Sequence, residues 1–114
     1  MEKFVRQTLL FDFYGELLTK HQQRIYEDVV CNDMSCSEVA ADQGVSRQGI
    51  HDLVKRCDRQ LEEYEQKLHL VQKFLDIQGK VREIREEAQR ADREKRGPDI
   101  QMILRISDEI LEEL

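Results

Sequence analysis

The stretch Ser35-Cys-Ser-Glu-Val-Ala-Ala-Asp-Gln-Gly-Val-Ser-Arg-Gln-Gly-Ile-His-Asp-Leu-Val-Lys-Arg56 decides the fold. It carries two helix-start signals, Ser35 and Ser46, eleven residues apart with one glycine between them. Ser35 followed three residues later by Glu38 has the form of a capping box, in which each side chain satisfies an orphan amide of the first turn. Ser46 caps the second helix. Gly44 sits where the first helix must stop, and glycine accepts the left-handed backbone such a stop requires. Val39, Ala40, Val45, Ile50, Leu53 and Val54 supply the apolar positions two crossing helices would share. The pattern predicts a helix-turn-helix over residues 35–57, its second helix offered to a nucleic-acid groove.

Working outward, residues 2–18 predict a helix that buries Phe4, Val5, Leu9, Phe11, Leu17 and Leu18, with Leu10, Phe13 and Tyr14 beside them. Thr19 caps a helix over Lys20 to Cys31, with Ile25, Tyr26, Val29 and Val30 inward, and Asn32 and Asp33 end it. Beyond Ser46 the first strong breaker is Gly97-Pro98, so a single long amphipathic helix is expected, interrupted only at Gly79. Two heptad seams run along it. Ile50, Val54, Cys57, Leu61, Tyr64, Leu68, Val71 and Leu75 form the first, and Leu70, Phe74, Ile77, Val81, Ile84, Ala88 and Ala91 the second. A doubled stripe means two neighbours. Leu61, Tyr64, Leu68, Val71, Phe74, Leu75, Ile77, Val81 and Ile84 are therefore the expected partner seam, with a homodimer the favoured occupant. Asp99 caps a last helix, Ile100 to Leu114, with Ile100, Ile103, Leu104, Ser107, Ile110, Leu111 and Leu114 near one face. That helix either folds back over the second seam or reaches a partner. The organisation expected is a helical domain over 1–78 and a charged helical extension over 79–114.

Composition agrees with an all-α protein. Of 114 residues, 39% are hydrophobic and 37% charged, with no Trp and one Pro, as in long helices with solvated outer faces. No run approaches the length of a membrane span, no leader pattern precedes the first helix, and a cytoplasmic protein is expected. Cys31, Cys36 and Cys57 lack zinc-site spacing and read as reduced structural thiols. Net charge is −6, but residues 46–60 carry four bases and two acids, so the reading helix is locally basic. His21, His51 and His69 are scattered, and no nucleophile elbow or phosphate loop occurs. No catalytic residue, metal ligand or cofactor is expected.

By Arg56 the residues also carry a family likeness. Leu17-Leu18-Thr19 with Gln22 or Gln23, Ser37-Glu38-Val39-Ala40, Gly44-Val45-Ser46-Arg47-Gln48 and Ile50 resemble the promoter-reading helix-turn-helix of sigma-70 region 4. The continuation Asp52-Leu53-Val54-Lys55-Arg56, Leu61-Glu62-Glu63-Tyr64-Glu65, Lys67-Leu68-His69-Leu70 and Lys73-Phe74 closely resembles the small bacterial YlxM family. The resemblance covers residues 1–95. It implies an all-α, region-4-like fold without a wing, continued by a long amphipathic helix and a C-terminal helix. It also implies a non-enzymatic nucleic-acid-binding regulator, acting in or on the signal recognition particle pathway, beside whose components members are encoded. DNA or RNA and particle components are the implied partners; the alternative is a protein-interaction adaptor of the same machinery. Ser46, Arg47, Gln48, His51 and Lys55 match the outward positions of the sigma-type reading helix, and Lys55, Arg56 and Arg59 would track a phosphate backbone. Arg47 suits guanine or phosphate and Gln48 suits adenine. Gly49 and Asp52 stand where sigma-type helices often carry bases, which lowers the affinity expected of this face, and Gln43 stands where an apolar residue is usual.

Overall fold

A computed structural model describes the whole chain, residues 1–114. It contains α-helices and turns but no strand: α1 Lys3–Tyr14, α2 Lys20–Tyr26, α3 Cys36–Gln43, α4 Arg47–Leu68, α5 Leu70–Glu94 and α6 Ile100–Glu113. A 3₁₀ turn, Gly15–Leu17, leaves α1, and a π-helical turn, Glu27–Cys31, extends α2. The chain forms two compact units, Met1–Val71 and Gln72–Leu114.

In the first unit α1, α2 and α3 pack around α4. Leu10, Tyr14, Leu18, Ile25, Tyr26, Val30, Val39, Ile50, Cys57, Leu61 and Val71 are buried, and each large apolar side chain removed from water contributes about 1.5–3 kcal/mol. The inward face of α1 differs from the expected one. Phe4, Val5 and Leu17 are exposed, whereas Leu10 and Tyr14 are enclosed; Leu18 is buried as expected. Polar contacts set that roll. The Arg6 guanidinium donates to both Glu62 oxygens on α4, at 2.5 and 2.7 Å, and Gln7 donates to Asp58 at 2.9 Å. Arg6, Leu10 and Tyr14 follow at intervals of four, so fixing one places all three against α4.

The turn chemistry follows the local sequence closely. Thr19 and Gln22 make the full reciprocal capping box, each side chain accepting the other's backbone N–H. Ser35 accepts the Glu38 N–H at 3.1 Å, but the Glu38 carboxylate turns to the Ser35 hydroxyl instead of its amide. The expected box is thus only half built there. Gly44 takes φ +68° at the end of α3, and the Val45 N–H reaches back to the Ala40 carbonyl. Val45, expected in the shared core, is about half exposed.

The single long helix is not formed. The helix beginning after Ser46 ends at Leu68, His69 adopts φ +55°, and α5 restarts at Leu70. Gly79, the expected interruption, lies inside α5 without a break. The cause is a buried pair from distant sequence. Tyr14 donates its hydroxyl proton to Glu65 at 2.5 Å and accepts the Leu70 N–H at 3.1 Å. The same Glu65 oxygen accepts the Val71 N–H at 3.0 Å. Two orphan amides of α5 are thereby satisfied by side chains, which makes a helix start at a position with no local capping residue.

The second unit is an antiparallel hairpin of α5 and α6, so the last helix folds back. Lys80 near the middle of α5 pairs with Glu113 at the far end of α6, at 3.0 Å. At the other end Glu87, 2% exposed, accepts two bonds from the Arg96 guanidinium and one from the Asp99 N–H at 2.7 Å. Asp99 in turn caps α6 through the Met102 N–H. Those bonds hold the Glu87 carboxyl down to about 2, the Arg96 contact being the largest cause. Ala91 and Ile106 fill the hairpin seam. Ile100, Leu104 and Leu111, grouped by sequence on one apolar face, are on the outside of α6.

Candidate nucleic-acid interface

The helix-turn-helix consists of α3, the turn Gly44-Val45-Ser46, and the N-terminal half of α4. Ser46 has extended backbone and its hydroxyl accepts the Gly49 N–H at 3.0 Å. Its oxygen therefore serves the helix, whose first turn carries the positive end of the helix dipole. Ile50, Val54 and Cys57 turn inward from α4, and Arg47, Gln48, His51, Lys55, Arg56 and Arg59 are all exposed.

Burial sorts the charges of α4. Three of its acidic residues, Asp58, Glu62 and Glu65, point toward their own unit, where each is held, while Asp52 and Glu63 stay exposed. Asp58 accepts from Tyr26 at 2.5 Å and from Gln7, Glu62 pairs with Arg6, and Glu65 binds Tyr14. These clasps raise the Arg6 pKa, chiefly through the Glu62 bond, and raise that of Tyr26 through burial and then Asp58. Arg47, Lys55, Arg56 and Arg59 make no ion pair and are left facing water. The outer side is consequently basic although the protein is acidic.

Asp52 interrupts that side. It accepts from the Gln48 amide at 2.9 Å and lies 4.0 Å from His51 Nδ1. That bond engages one of the two Gln48 amide protons, and an exposed carboxylate repels phosphate. Two open depressions lie along α4. Arg47, Gln48 and His51 line the first; Gln22, Arg56, Arg59, Gln60 and Glu63 line the second. Gln60 was not among the residues read from sequence, nor was the contribution of α2 there. Gln22 donates to Gln60 at 3.3 Å from a separate helix, a proximity that no spacing within α4 encodes.

The seam residues divide by position. Leu61 and Val71 are enclosed by the first unit and Tyr64 is half-buried. Leu75, Ile77 and Ile84 are half-buried, and Leu68, Phe74 and Val81 are exposed on 42–52% of their surfaces. Burial pushes the Cys57 thiol up to about 11, which keeps it protonated and unreactive near neutrality. No group of His, Cys, Asp and Glu gathers that could hold a metal ion, and no helix is long and apolar enough to cross a membrane.

Comparison with known proteins agrees on the family. The profile of UPF0122, described as "Putative helix-turn-helix protein, YlxM / p13 like", matches residues 1–100. A UPF0122 protein of Thermoanaerobacter sp. (strain X514) is 38% identical over 113 residues, covering 99% of this chain and 94% of that protein. One from Acetivibrio thermocellus is 38% identical over 114 residues, covering 100% and 97%. One from Bacillus cereus (strain AH187) is 42% identical over 86 residues, covering 75% and 78%.

Proposed function

This chain belongs to the UPF0122 family of YlxM/p13-like helix-turn-helix proteins, and from that premise we propose that it is a non-enzymatic nucleic-acid-binding regulator. One observation carries the reading. The second helix of the motif presents Arg47, Lys55, Arg56 and Arg59 unpaired on its outer side, while Asp58, Glu62 and Glu65 are clasped on its inner side. Backbone phosphates are the natural counterions of such a face. With four bases and the exposed Asp52 and Glu63 among them, binding is of modest strength and is reinforced by pairing two copies through the exposed Leu68. The family likeness also proposes the protein-targeting machinery as the setting, so signal recognition particle RNA belongs beside duplex DNA among the probes.

The test is fluorescence anisotropy with labelled duplex DNA and with signal recognition particle RNA at low and physiological salt. The proposal expects binding to one of them that weakens with salt and with Arg47→Ala/Lys55→Ala. No binding to either at low salt rejects it and favours the adaptor reading.

A further inference from the structure

The hairpin leaves one face of α6 without a cover. Ile106 is fully enclosed against α5, whereas Ile100, Leu104 and Leu111 are 58%, 59% and 69% exposed. Their spacing of four and seven residues aligns them in one stripe along the helix, with Ser107 between Leu104 and Leu111. A helix in water does not ordinarily carry two such stripes on different sides; the second is the mark of a docking surface.

Charge indicates what docks. Along the exposed border of the stripe lie Gln101, Arg105, Asp108 and Glu112. Arg105 is already engaged by Glu109 at 3.4 Å, and Glu113 by Lys80 at 3.0 Å. Asp108 and Glu112 remain as carboxylates without an ion-pair partner beside Leu104 and Leu111. A second copy of α6 brings only the same engaged arginine and two more free carboxylates, so pairing of α6 with α6 supplies no counter-charge in either direction. Nucleic acid and anionic lipid are repelled by the same groups.

We infer that the outer face of α6 is a docking surface for a basic amphipathic helix of a partner protein, its apolar residues seated on Ile100, Leu104 and Leu111 and its Lys or Arg residues against Asp108 and Glu112. This is the helix-on-helix mode of recognition, in which apolar anchors supply affinity and flanking charges set partner choice. It lies on a different helix from the basic face of α4, so the two activities are separable by mutation.

The experiment uses the full chain and a designed, fluorescently labelled helical peptide with Leu at heptad a and d positions and Lys at e and g. Anisotropy titration is expected to show saturable binding that falls at least tenfold with Leu104→Ser/Leu111→Ser and severalfold with Asp108→Asn/Glu112→Gln. The charge-matched control Glu83→Gln/Glu86→Gln, on exposed sites of α5, is expected to bind as the parent does. All four altered α6 positions are exposed, and circular dichroism checks that the variants keep their helices. Equal losses in the α5 control, undiminished binding by the α6 variants, or equal binding of a peptide with Glu in place of Lys would each overturn the inference. So would sedimentation showing that Leu104→Ser/Leu111→Ser dissociates the chain itself, since the occupant would then be a second copy.

Discussion

The Tyr14 hydroxyl and the Glu65 carboxylate meet at 2.5 Å across 51 positions of sequence, and together they start α5. Tyr14→Phe keeps the ring in place but leaves the Leu70 N–H and one bond of a buried carboxylate unmet. Loss of such partners costs about 1–3 kcal/mol. Urea unfolding of Tyr14→Phe should therefore show a lower midpoint at unchanged slope. An unchanged midpoint would mean that other contacts hold the break at His69.

Glycine has opposite value at two positions. At Gly44, φ is +68° and a Cβ meets nothing within 4 Å, so replacement by alanine acts through backbone conformation alone. The left-handed region costs about 1–2 kcal/mol for a residue with a Cβ, and Gly44→Ala should lower the thermal midpoint. Gly79 lies within α5 with open space around it, and Gly79→Ala should raise stability by about 0.5–1 kcal/mol. Thermal melts of the pair check both signs.

The hairpin should be sensitive to acid. Glu87 has a folded-state pKa of about 2 against an ordinary 4.5. A carboxylate depressed in this way stabilises the folded form fully above about pH 4.5, and that contribution is lost as pH falls toward about 2. Helicity followed by far-UV circular dichroism should fall across this window. Glu87→Gln should be less helical at neutral pH and show a flatter acid transition. Equal acid transitions in parent and variant would show that Glu87 does not govern the hairpin.

Self-association has its own probe. Leu68 is half exposed on the last turn of α4, where a partner copy is proposed to cover it. Sedimentation should show a dimer at micromolar concentration and a monomer for Leu68→Glu. A monomeric parent protein would exclude the seam.

What was legible in the sequence was local. Ser46, Gly44 and Thr19 act on amides within five residues of themselves, so the caps and the turn could be read directly. The outward placement of Arg47, His51, Lys55 and Arg59 also follows from periodicity, because Ile50, Val54 and Cys57 define the opposite side. The break at His69 was illegible because its cause is Tyr14, on another helix. The side of α1 that packs inward was misread for a related reason: apolar residues occur all around it, and the bonds of Arg6 with Glu62, Gln7 with Asp58 and Tyr14 with Glu65 choose among them. On α6 the hydrophobic pattern contained two stripes, and sequence alone does not say that Ile106 faces α5 while Leu104 faces water. The Gln22–Gln60 contact beside the basic face depends on tertiary packing as well.

The central claim is that the outer face of α4 binds nucleic-acid phosphates, and the salt dependence of binding tests it most directly. Four neutralised phosphates predict a slope of log affinity against log salt of about −3.6 on duplex DNA, and removing two bases should reduce its magnitude by about 1.8. Measuring that slope for the parent chain and for Arg47→Ala/Lys55→Ala gives a direct comparison. The account predicts a shallower slope and weaker binding in the variant. An identical slope and affinity in the two proteins would contradict it.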